Sequence, residues 1–371
     1  MVQCIRGVLD KLVKPLKIYT EENHASKEHW INYLVYPIRA YWGDGTSDWY
    51  KWEQNFKFYK KYYTIVGNPD EADVCFVPFT INYYIKNNLL SIVDRLIDEM
   101  EYRKIPIYVW VDGDYEPKHY NNYCNYIKYF GFESQKRMNE VIQPADLKFD
   151  LLMKYFNGKI QIKKKEKLPK VGFVGMADYP LYKLPLLISK NISKMILDKM
   201  NSSNYRSDII LPAFLQRKAI LNQLEHSPDI VTNFLVKREF ADGLYNDNRV
   251  ARNQFIDNIV SNDYTFCYRG AANYSIRFYE TLCLGRVPLF INTDCKLPFQ
   301  NTINWSEICI WIEETEKKYI SDHLTEAHMN ITNNQFIERQ NYCREIWVKY
   351  FSYEGFYKNL RPLINTANNN V

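Results

Sequence analysis

The sequence lacks the signatures of several common protein classes. Its eight cysteines form no C-x-x-C pair, which argues against a zinc site. No apolar run is followed by G-x-G-x-x-G, so a dehydrogenase of the dinucleotide-binding type is disfavoured. No stretch approaches 18 apolar residues and no N-terminal signal peptide is visible, so we expect no transmembrane segment.

Charge of one sign is also missing. The chain carries 48 basic and 43 acidic residues, a net charge of +5. That excess is too small to predict a nucleic-acid partner. Together with the scattered cysteines and the absence of a visible leader, it leads us to expect a soluble, cytoplasmic protein with reduced thiols.

The length and the order of apolar runs predict two domains. A chain of 371 residues can form two separate cores. Its predicted strands alternate with helices, as in doubly wound parallel α/β sheets. A basic, poorly periodic stretch at 157–170 interrupts the alternation and is interpreted as a linker or hinge. We therefore predict domains over 1–160 and 168–330, followed by a helical segment over 331–371.

One stretch, 264–305, organises the second domain. Its pattern predicts a buried strand over Tyr264–Tyr268, a helix over roughly Ile276–Leu284 and a second strand over Val287–Ile291. Such a unit implies parallel strands joined by a right-handed crossover. The loop that enters the helix then lies at the carboxyl edge of the sheet, where open α/β folds bind ligands.

This loop and helix end carry groups suited to a phosphate. Gly270 permits backbone angles that other residues resist, and Ser275 suits the helix N-cap. Arg269 and Arg277 add positive charge at a helix N-terminus, which itself favours anions. We predict a diphosphate site there. Its candidate residues are Arg269, Gly270, Asn273, Ser275, Arg277 and Glu280, with Arg238 at the end of a neighbouring strand.

Some of these residues have plainer interpretations. Arg277 and Glu280 are spaced i, i+3 on one helix face. Glu280 therefore either holds ribose hydroxyls, positions Arg277, or forms an ordinary surface ion pair with it. Lys237 or Arg238 either adds a phosphate contact or is a surface charge.

In the first domain, a predicted strand ends in two carboxylates. The apolar run Ile105–Val111 is followed by Asp112, Gly113 and Asp114. At the carboxyl edge of a sheet, Asp112 or Asp114 could accept a proton from a substrate hydroxyl. The same residues are equally consistent with a plain Asp-Gly turn.

Two groups of motifs resemble one known family. The downstream group consists of SIRFYE at 275–280, GRVP at 285–288, LPF at 297–299 and INW at 303–305. The upstream motif is NPDEADVCFVPF at 68–79. In this order they are similar to the exostosin-like glycosyltransferases, glycosyltransferase family 47.

The resemblance implies a fold and a reaction. The fold is GT-B, with two Rossmann-like domains facing across a cleft and the C-terminal helical segment packing back on the first domain. The reaction is an inverting transfer from a UDP-sugar, of the xylose, galactose or glucuronic acid type, to a hydroxyl of an oligosaccharide or glycan acceptor. Arginines rather than a metal cofactor would neutralise the diphosphate. Asp112 is favoured as the base, because the corresponding strand in many members also ends in aspartate.

Two alternatives stay open. Asp112-Gly113-Asp114 also matches the D-x-D motif of GT-A glycosyltransferases, in which Mn²⁺ or Mg²⁺ binds the nucleotide diphosphate through hard oxygen ligands. A catalytically silent sugar- or nucleotide-binding protein could share the same fold, since fold does not fix function.

Overall fold

The computed structural model describes residues 14–42, 59–135, 139–147, 149–206, 213–237 and 249–368. The chain forms two compact units, each organised around one sheet. The first unit combines Met1–Lys128, Arg137–Val141 and Phe356–Val371, and the second combines Tyr129–Lys136 with Ile142–Gly355. The predicted domain limits at 160, 168 and 330 stay predictions.

The first sheet has six strands. They are β1 (Leu16–Tyr19), β2 (Tyr63–Val66), β3 (Val74–Phe76), β4 (Ile107–Trp110), β5 (Cys124–Lys128) and β6 (Glu140–Ile142). Their order is β2-β1-β3-β4-β5-β6, and neighbours from β2 to β5 pair in parallel. Every residue of β3 and β4 is buried, which suits parallel strands covered on both faces.

Helices accompany these strands along the chain. They are α1 (Trp30–Tyr33), α2 (Tyr36–Trp42), α3 (Tyr59–Tyr62), α4 (Ile81–Lys86) and α5 (Leu90–Arg103). In α5 the buried residues are Val93, Leu96, Ile97 and Met100. Their i, i+3, i+4, i+7 spacing forms one apolar face, which explains why this segment is helical and where it packs.

The second sheet has five strands. They are β7 (Lys170–Met176), β8 (Val231–Lys237), β9 (Tyr264–Cys267), β10 (Val287–Asn292) and β11 (Ile310–Glu313). The order is β11-β10-β9-β7-β8, and every neighbouring pair is parallel. This is the 2-1-3-4-5 order of doubly wound folds, whose direction switches between the first and third strands.

The helices of the second unit lie mostly between its strands in sequence. They are α6 (Leu151–Phe156), α7 (Leu184–Lys199), α8 (Ala213–Glu225), α9 (Arg249–Ser261), α10 (Ile276–Cys283), α11 (Trp305–Ile308), α12 (Ile320–Asn330) and α13 (Asn333–Ile346). A π-helical turn at Trp347–Phe351 precedes α14 (Tyr353–Asn368). In the part of the chain that the structure describes, no helix is long and apolar enough to cross a bilayer.

The prediction of doubly wound α/β units is confirmed. The strand–helix–strand unit appears as β9, α10 and β10, with β9 and β10 parallel. Gly285 follows α10 with φ of 65°, the left-handed conformation that ends many helices and that glycine adopts without strain. That the two units face each other across a cleft stays a prediction.

Candidate functional site

The second sheet changes direction between β7 and β9. From β7 the chain moves to β8 on one side, and it returns to β9 on the other. Doubly wound sheets bind ligands beyond the carboxyl ends of the strands at such a switch point. Arg217, Arg269 and Arg277 meet the ends of these two strands, as their contacts show.

Arg277, the second residue of α10, reaches back over β7. Its Nη2 donates a hydrogen bond to the backbone oxygen of Val174 at 2.5 Å. Its guanidinium carbon lies 4.5 Å from the ring centroid of Phe173 and 5.6 Å from that of Phe255. Burial among these groups lowers the pKa of Arg277, which remains charged at neutral pH.

Arg217, on α8, occupies the other side of the same ring. Its guanidinium lies 5.8 Å from the centroid of Phe173. Its Nη1 donates to the backbone oxygen of Met176 at 2.5 Å and its Nη2 to that of Arg269 at 2.9 Å. Burial, and then the positive charge of Arg277, lowers the pKa of Arg217 to about 10.

The two guanidinium groups share an unmet requirement. The Nε atoms of Arg217 and Arg277 are buried and have no hydrogen-bond partner among the described residues. A buried donor without an acceptor costs roughly 1–3 kcal/mol, and more when it is charged. The two like charges also repel each other. A bound anion would satisfy both donors and neutralise both charges.

Gly175 allows Arg277 to pack this closely against β7. A Cβ atom at this position would lie 2.7 Å from Nη2 of Arg277 and 3.3 Å from Cζ of Phe173. The first distance is shorter than any normal contact, so a side chain here would displace the guanidinium. The glycine with a structural reason at this site is therefore Gly175, in the strand.

The predicted backbone role of Gly270 is wrong. Gly270 is not among the glycines with positive φ, and the nearest atom to an added Cβ is the backbone oxygen of Tyr274 at 3.8 Å. Its amide donates to that same oxygen at 3.0 Å, so an ordinary turn closes the loop. Arg269, just before it, donates from Nη2 to the backbone oxygen of Ala271 at 3.3 Å and lies 5.9 Å from the Phe132 ring.

Ser275 and Asn273 have different local roles. Ser275 is the N-cap of α10, as predicted, but its hydroxyl makes no capping hydrogen bond to the helix. Asn273 is buried, and its Nδ2 donates to the backbone oxygens of Gly131, Thr293 and Asp294 at 3.0–3.1 Å. A nucleotide contact through Asn273 would have to replace bonds that hold these loops together.

Glu280 forms no surface ion pair with Arg277. Its side chain is buried, and Oε1 lies 2.8 Å from Nη2 of Arg252, on α9. Arg252 in turn lies over the Phe255 ring at 5.1 Å, the ring that Arg277 also contacts. Glu280 therefore neutralises a third arginine behind the site, and it leaves the charge of Arg277 directed toward a ligand.

The remaining basic candidates lie at the end of β8. Lys237 is the last residue of that strand, and its backbone oxygen accepts from the amides of Ala177 and Asp178 at 3.3 Å. Arg238 lies outside the described residues, so its predicted phosphate contact stays a prediction.

Asp112 and Asp114 lie in the first unit, just after β4. The Asp112 carboxylate accepts from the amide of Gly113 at 2.8 Å, and the Asp112 amide donates to Oδ1 of Asn82 at 2.9 Å. Gly113 has φ of 79°, so the turn predicted as the plainer interpretation does form. Desolvation, and then the charge of Asp112, raises the pKa of Asp114, although its residue surface remains exposed.

Sequence reasoning missed Arg217 and Arg252. Each begins an i, i+4, i+7 series whose other members are buried: Leu221 and Leu224 after Arg217, and Ile256 and Ile259 after Arg252. An arginine on the apolar face of a helix must find a partner or a ligand, because burying an unpaired charge is costly. That pattern was visible in the sequence and is the signal that could have found both residues.

Within the described ranges, no group of three or more His, Cys, Asp or Glu side chains is placed to hold a metal ion. Two carboxylates, Asp112 and Asp114, are therefore what the first unit offers at its D-x-D motif. Such a pair would need a substrate diphosphate to complete the coordination of a divalent cation.

Comparison with known proteins confirms the resemblance. Residues 212–325 match the exostosin GT47 domain. The match includes Arg217, Arg252, Arg269, Ser275, Arg277 and Glu280. It covers the switch-point end of the second sheet, from α8 to the start of α12.

Individual relatives match over shorter parts of their length. The chain is 32% identical over 81 residues to the probable glucuronoxylan glucuronosyltransferase IRX7 of Arabidopsis thaliana, covering 22% of this chain and 18% of that protein. It is 29% identical over 139 residues to the exostosin-1 homolog of Caenorhabditis elegans, covering 35% of each. The chain thus spans only a minor part of these relatives. A crystal structure of TarM aligns with a TM-score of 0.34 and 11% identity, covering 70% of this chain and 50% of that one.

Proposed function

We propose, because residues 212–325 match the exostosin GT47 domain, that this chain is an exostosin-like glycosyltransferase. In this proposal it transfers a sugar from a UDP-sugar to a hydroxyl of a glycan acceptor, with inversion and without a metal ion. The printed names of two relatives are glucuronosyltransferases. They support glucuronic acid, ahead of xylose or galactose, as the first sugar to test.

One observation carries the proposal. Arg217 and Arg277 contact the two faces of a single region at the β7–β9 switch point, and the Nε of each is buried without a partner among the residues described. A nucleotide diphosphate carries two or more negative charges and several acceptor oxygens. It is the ligand class whose charge and hydrogen-bonding capacity match this pair.

The proposed chemistry uses the arginines on the leaving group. As the bond from sugar to diphosphate breaks, negative charge accumulates on the departing oxygen. Fixed guanidinium groups in a desolvated setting stabilise that charge more than water does, because they need no reorganisation during the step. Arg269 and the N-terminus of α10, at Ser275, would add to this stabilisation.

The acceptor hydroxyl needs a base. We assign that role to the loop after β4, and within it the raised pKa of Asp114 fits a general base better than the hydrogen-bonded carboxylate of Asp112 does. The base attacks no bond itself. It takes the hydroxyl proton while the oxygen displaces the nucleoside diphosphate from the opposite face, and that geometry inverts the anomeric centre.

The test compares UDP with uridine. Calorimetric titration of the wild-type chain is expected to show UDP binding at least tenfold more tightly than uridine. Arg277→Ala should weaken UDP binding roughly 10- to 100-fold, the range for a hydrogen bond to a charged group, and should leave uridine binding nearly unchanged. Equal losses for both ligands would mean that Arg277 acts through the fold rather than through the diphosphate.

A conservative variant and a turnover assay complete this test. Arg277→Lys keeps the charge but loses the planar fork, so we expect UDP affinity between those of wild type and Arg277→Ala. Release of UDP from UDP-glucuronic acid, with and without a glycan acceptor, distinguishes an enzyme from a silent binding protein. UDP binding with no release from any UDP-sugar tried would favour the silent protein.

A further inference from the structure

Helix α7 exposes an unusual amount of apolar surface. None of its 16 residues, all of them described, is buried. Leu186 is 75% exposed, Ile196 51% and Leu197 47%, and Met200 at the end of the helix is 67% exposed. A soluble surface helix normally directs such side chains toward the protein core.

The exposure divides the helix into two faces. At 3.6 residues per turn, the half-buried residues fall on one side. They are Leu184, Leu187, Ile188, Asn191, Lys194, Met195 and Asp198. The opposite, outward side is exposed and mostly apolar. It consists of Pro185, Leu186, Ser189, Ile192, Ser193, Ile196 and Leu197, and is continued by Met200.

Charge is distributed unevenly over these faces. Lys190 and Lys199 are exposed and border the outward side on its two edges, and Lys183 is exposed just before the helix. The one carboxylate of the helix, Asp198, falls on the half-buried side. The outward face of α7 is thus apolar at its centre and cationic at its edges.

The two serines on this face do not make it polar. Ser189 donates its hydroxyl proton to the backbone oxygen of Leu186 at 2.9 Å, and Ser193 donates to that of Ser189 at 2.9 Å. Because these hydroxyls are satisfied within the helix, removing them from water costs little. The outward face can therefore be desolvated as a whole.

We propose that α7 binds the surface of a bilayer that contains anionic lipid. The helix would lie in the plane of the interface, with Leu186, Ile196 and Leu197 at the boundary of the acyl chains and the bordering lysines among the phosphates. A second copy of the same face is a poorer occupant, because it would bring lysines against lysines. The proposal does not depend on the donor site.

Vesicle sedimentation tests this binding. The full chain is mixed with vesicles of phosphatidylcholine alone or with roughly a third phosphatidylserine, at low and high salt. We expect binding to the anionic vesicles, at least tenfold weaker binding to neutral ones, and loss in high salt. The double variant K190Q/K199Q should bind anionic vesicles roughly 10- to 30-fold more weakly, at about fivefold per lysine.

The apolar half of the proposal needs its own variant. L186S/I196S/L197S should reduce vesicle binding by at least tenfold. A matched control removes apolar side chains that are exposed elsewhere, Y102S/V250S/M329S, and should bind vesicles like wild type. UDP affinity and the melting temperature are measured for every variant to show that each is folded.

Three results would overturn the proposal. One is equal sedimentation with neutral and anionic vesicles, and another is equal loss in the control and in the α7 variant. The third is a dimer in analytical ultracentrifugation that disappears in L186S/I196S/L197S while vesicle binding is absent, since that would assign the face to a second copy of the chain.

Discussion

The two sheets share the beginning of their strand order but carry opposite charge where their strands end. Each begins with the 2-1-3-4-5 arrangement. Beyond the second sheet lie guanidinium groups that burial has partly desolvated, whereas beyond β4 of the first sheet lie two carboxylates in an exposed turn. The same scaffold therefore supports two kinds of chemistry, and the loops decide which.

Burial explains what each side is suited to do. Desolvated arginines with unsatisfied Nε atoms are suited to hold an anion, because the ligand repays the cost of burying them. An exposed carboxylate beside a like charge is suited to exchange a proton, because its pKa is raised toward neutrality. Each prediction below challenges one side of this contrast.

The largest expected effect is on the acidic side. Asp114→Asn should lower kcat by roughly 100-fold or more, the usual range for loss of a general base, with little change in UDP affinity. Asp112→Asn is the matched control and should lower kcat less. If Asp112→Asn lost more turnover than Asp114→Asn, the assignment of the base within the loop would be reversed.

The same variants predict a pH dependence. A base must be deprotonated to act, so kcat/KM should fall as pH drops through the pKa of Asp114. Because that pKa is raised, the acid limb should lie above the ordinary aspartate value of about 4. The limb should be absent from the residual activity of Asp114→Asn. An unchanged limb in that variant would assign it to another group.

A smaller effect is expected from the glycines on the basic side. Gly175→Ala places a methyl group against Nη2 of Arg277 and should weaken UDP binding by roughly three- to tenfold. Gly270→Ala has room for the methyl group and should bind UDP like wild type, with stability changed by less than about 0.5 kcal/mol. A greater loss from Gly270→Ala would mean that the loop, rather than the strand, sets the position of the arginines.

The smallest effect is expected from metal removal. If the arginines neutralise the diphosphate, activity in excess EDTA should stay within about twofold of the untreated rate. Loss of activity that Mn²⁺ restores would transfer that role to Asp112 and Asp114, as in the alternative based on their D-x-D spacing.

Local patterns predicted the framework of the second unit well. The β9–α10–β10 unit, the N-cap position of Ser275 and the glycine after the helix follow from hydrophobic periodicity and from end signals within a few residues. These features depend on neighbours in sequence, so one sequence is enough to find them.

The contents of the site were harder to predict, because they depend on which helices the sheet brings together. Glu280 was paired in prediction with Arg277, its neighbour on the helix, but its partner is Arg252, 28 residues earlier. Gly270 was given the conformational role because it lies in the loop, whereas the close approach occurs at Gly175. Pairings across a sheet are set by packing, and spacing along the chain does not reveal them.

The central claim is that Arg217 and Arg277 together hold a nucleotide diphosphate at the β7–β9 switch point. The most direct measurement is a crystal structure of the chain grown with UDP. The account predicts phosphate oxygens within hydrogen-bonding distance of both guanidinium groups, with each Nε engaged. UDP bound elsewhere in the chain, with both Nε atoms still lacking an acceptor, would contradict it.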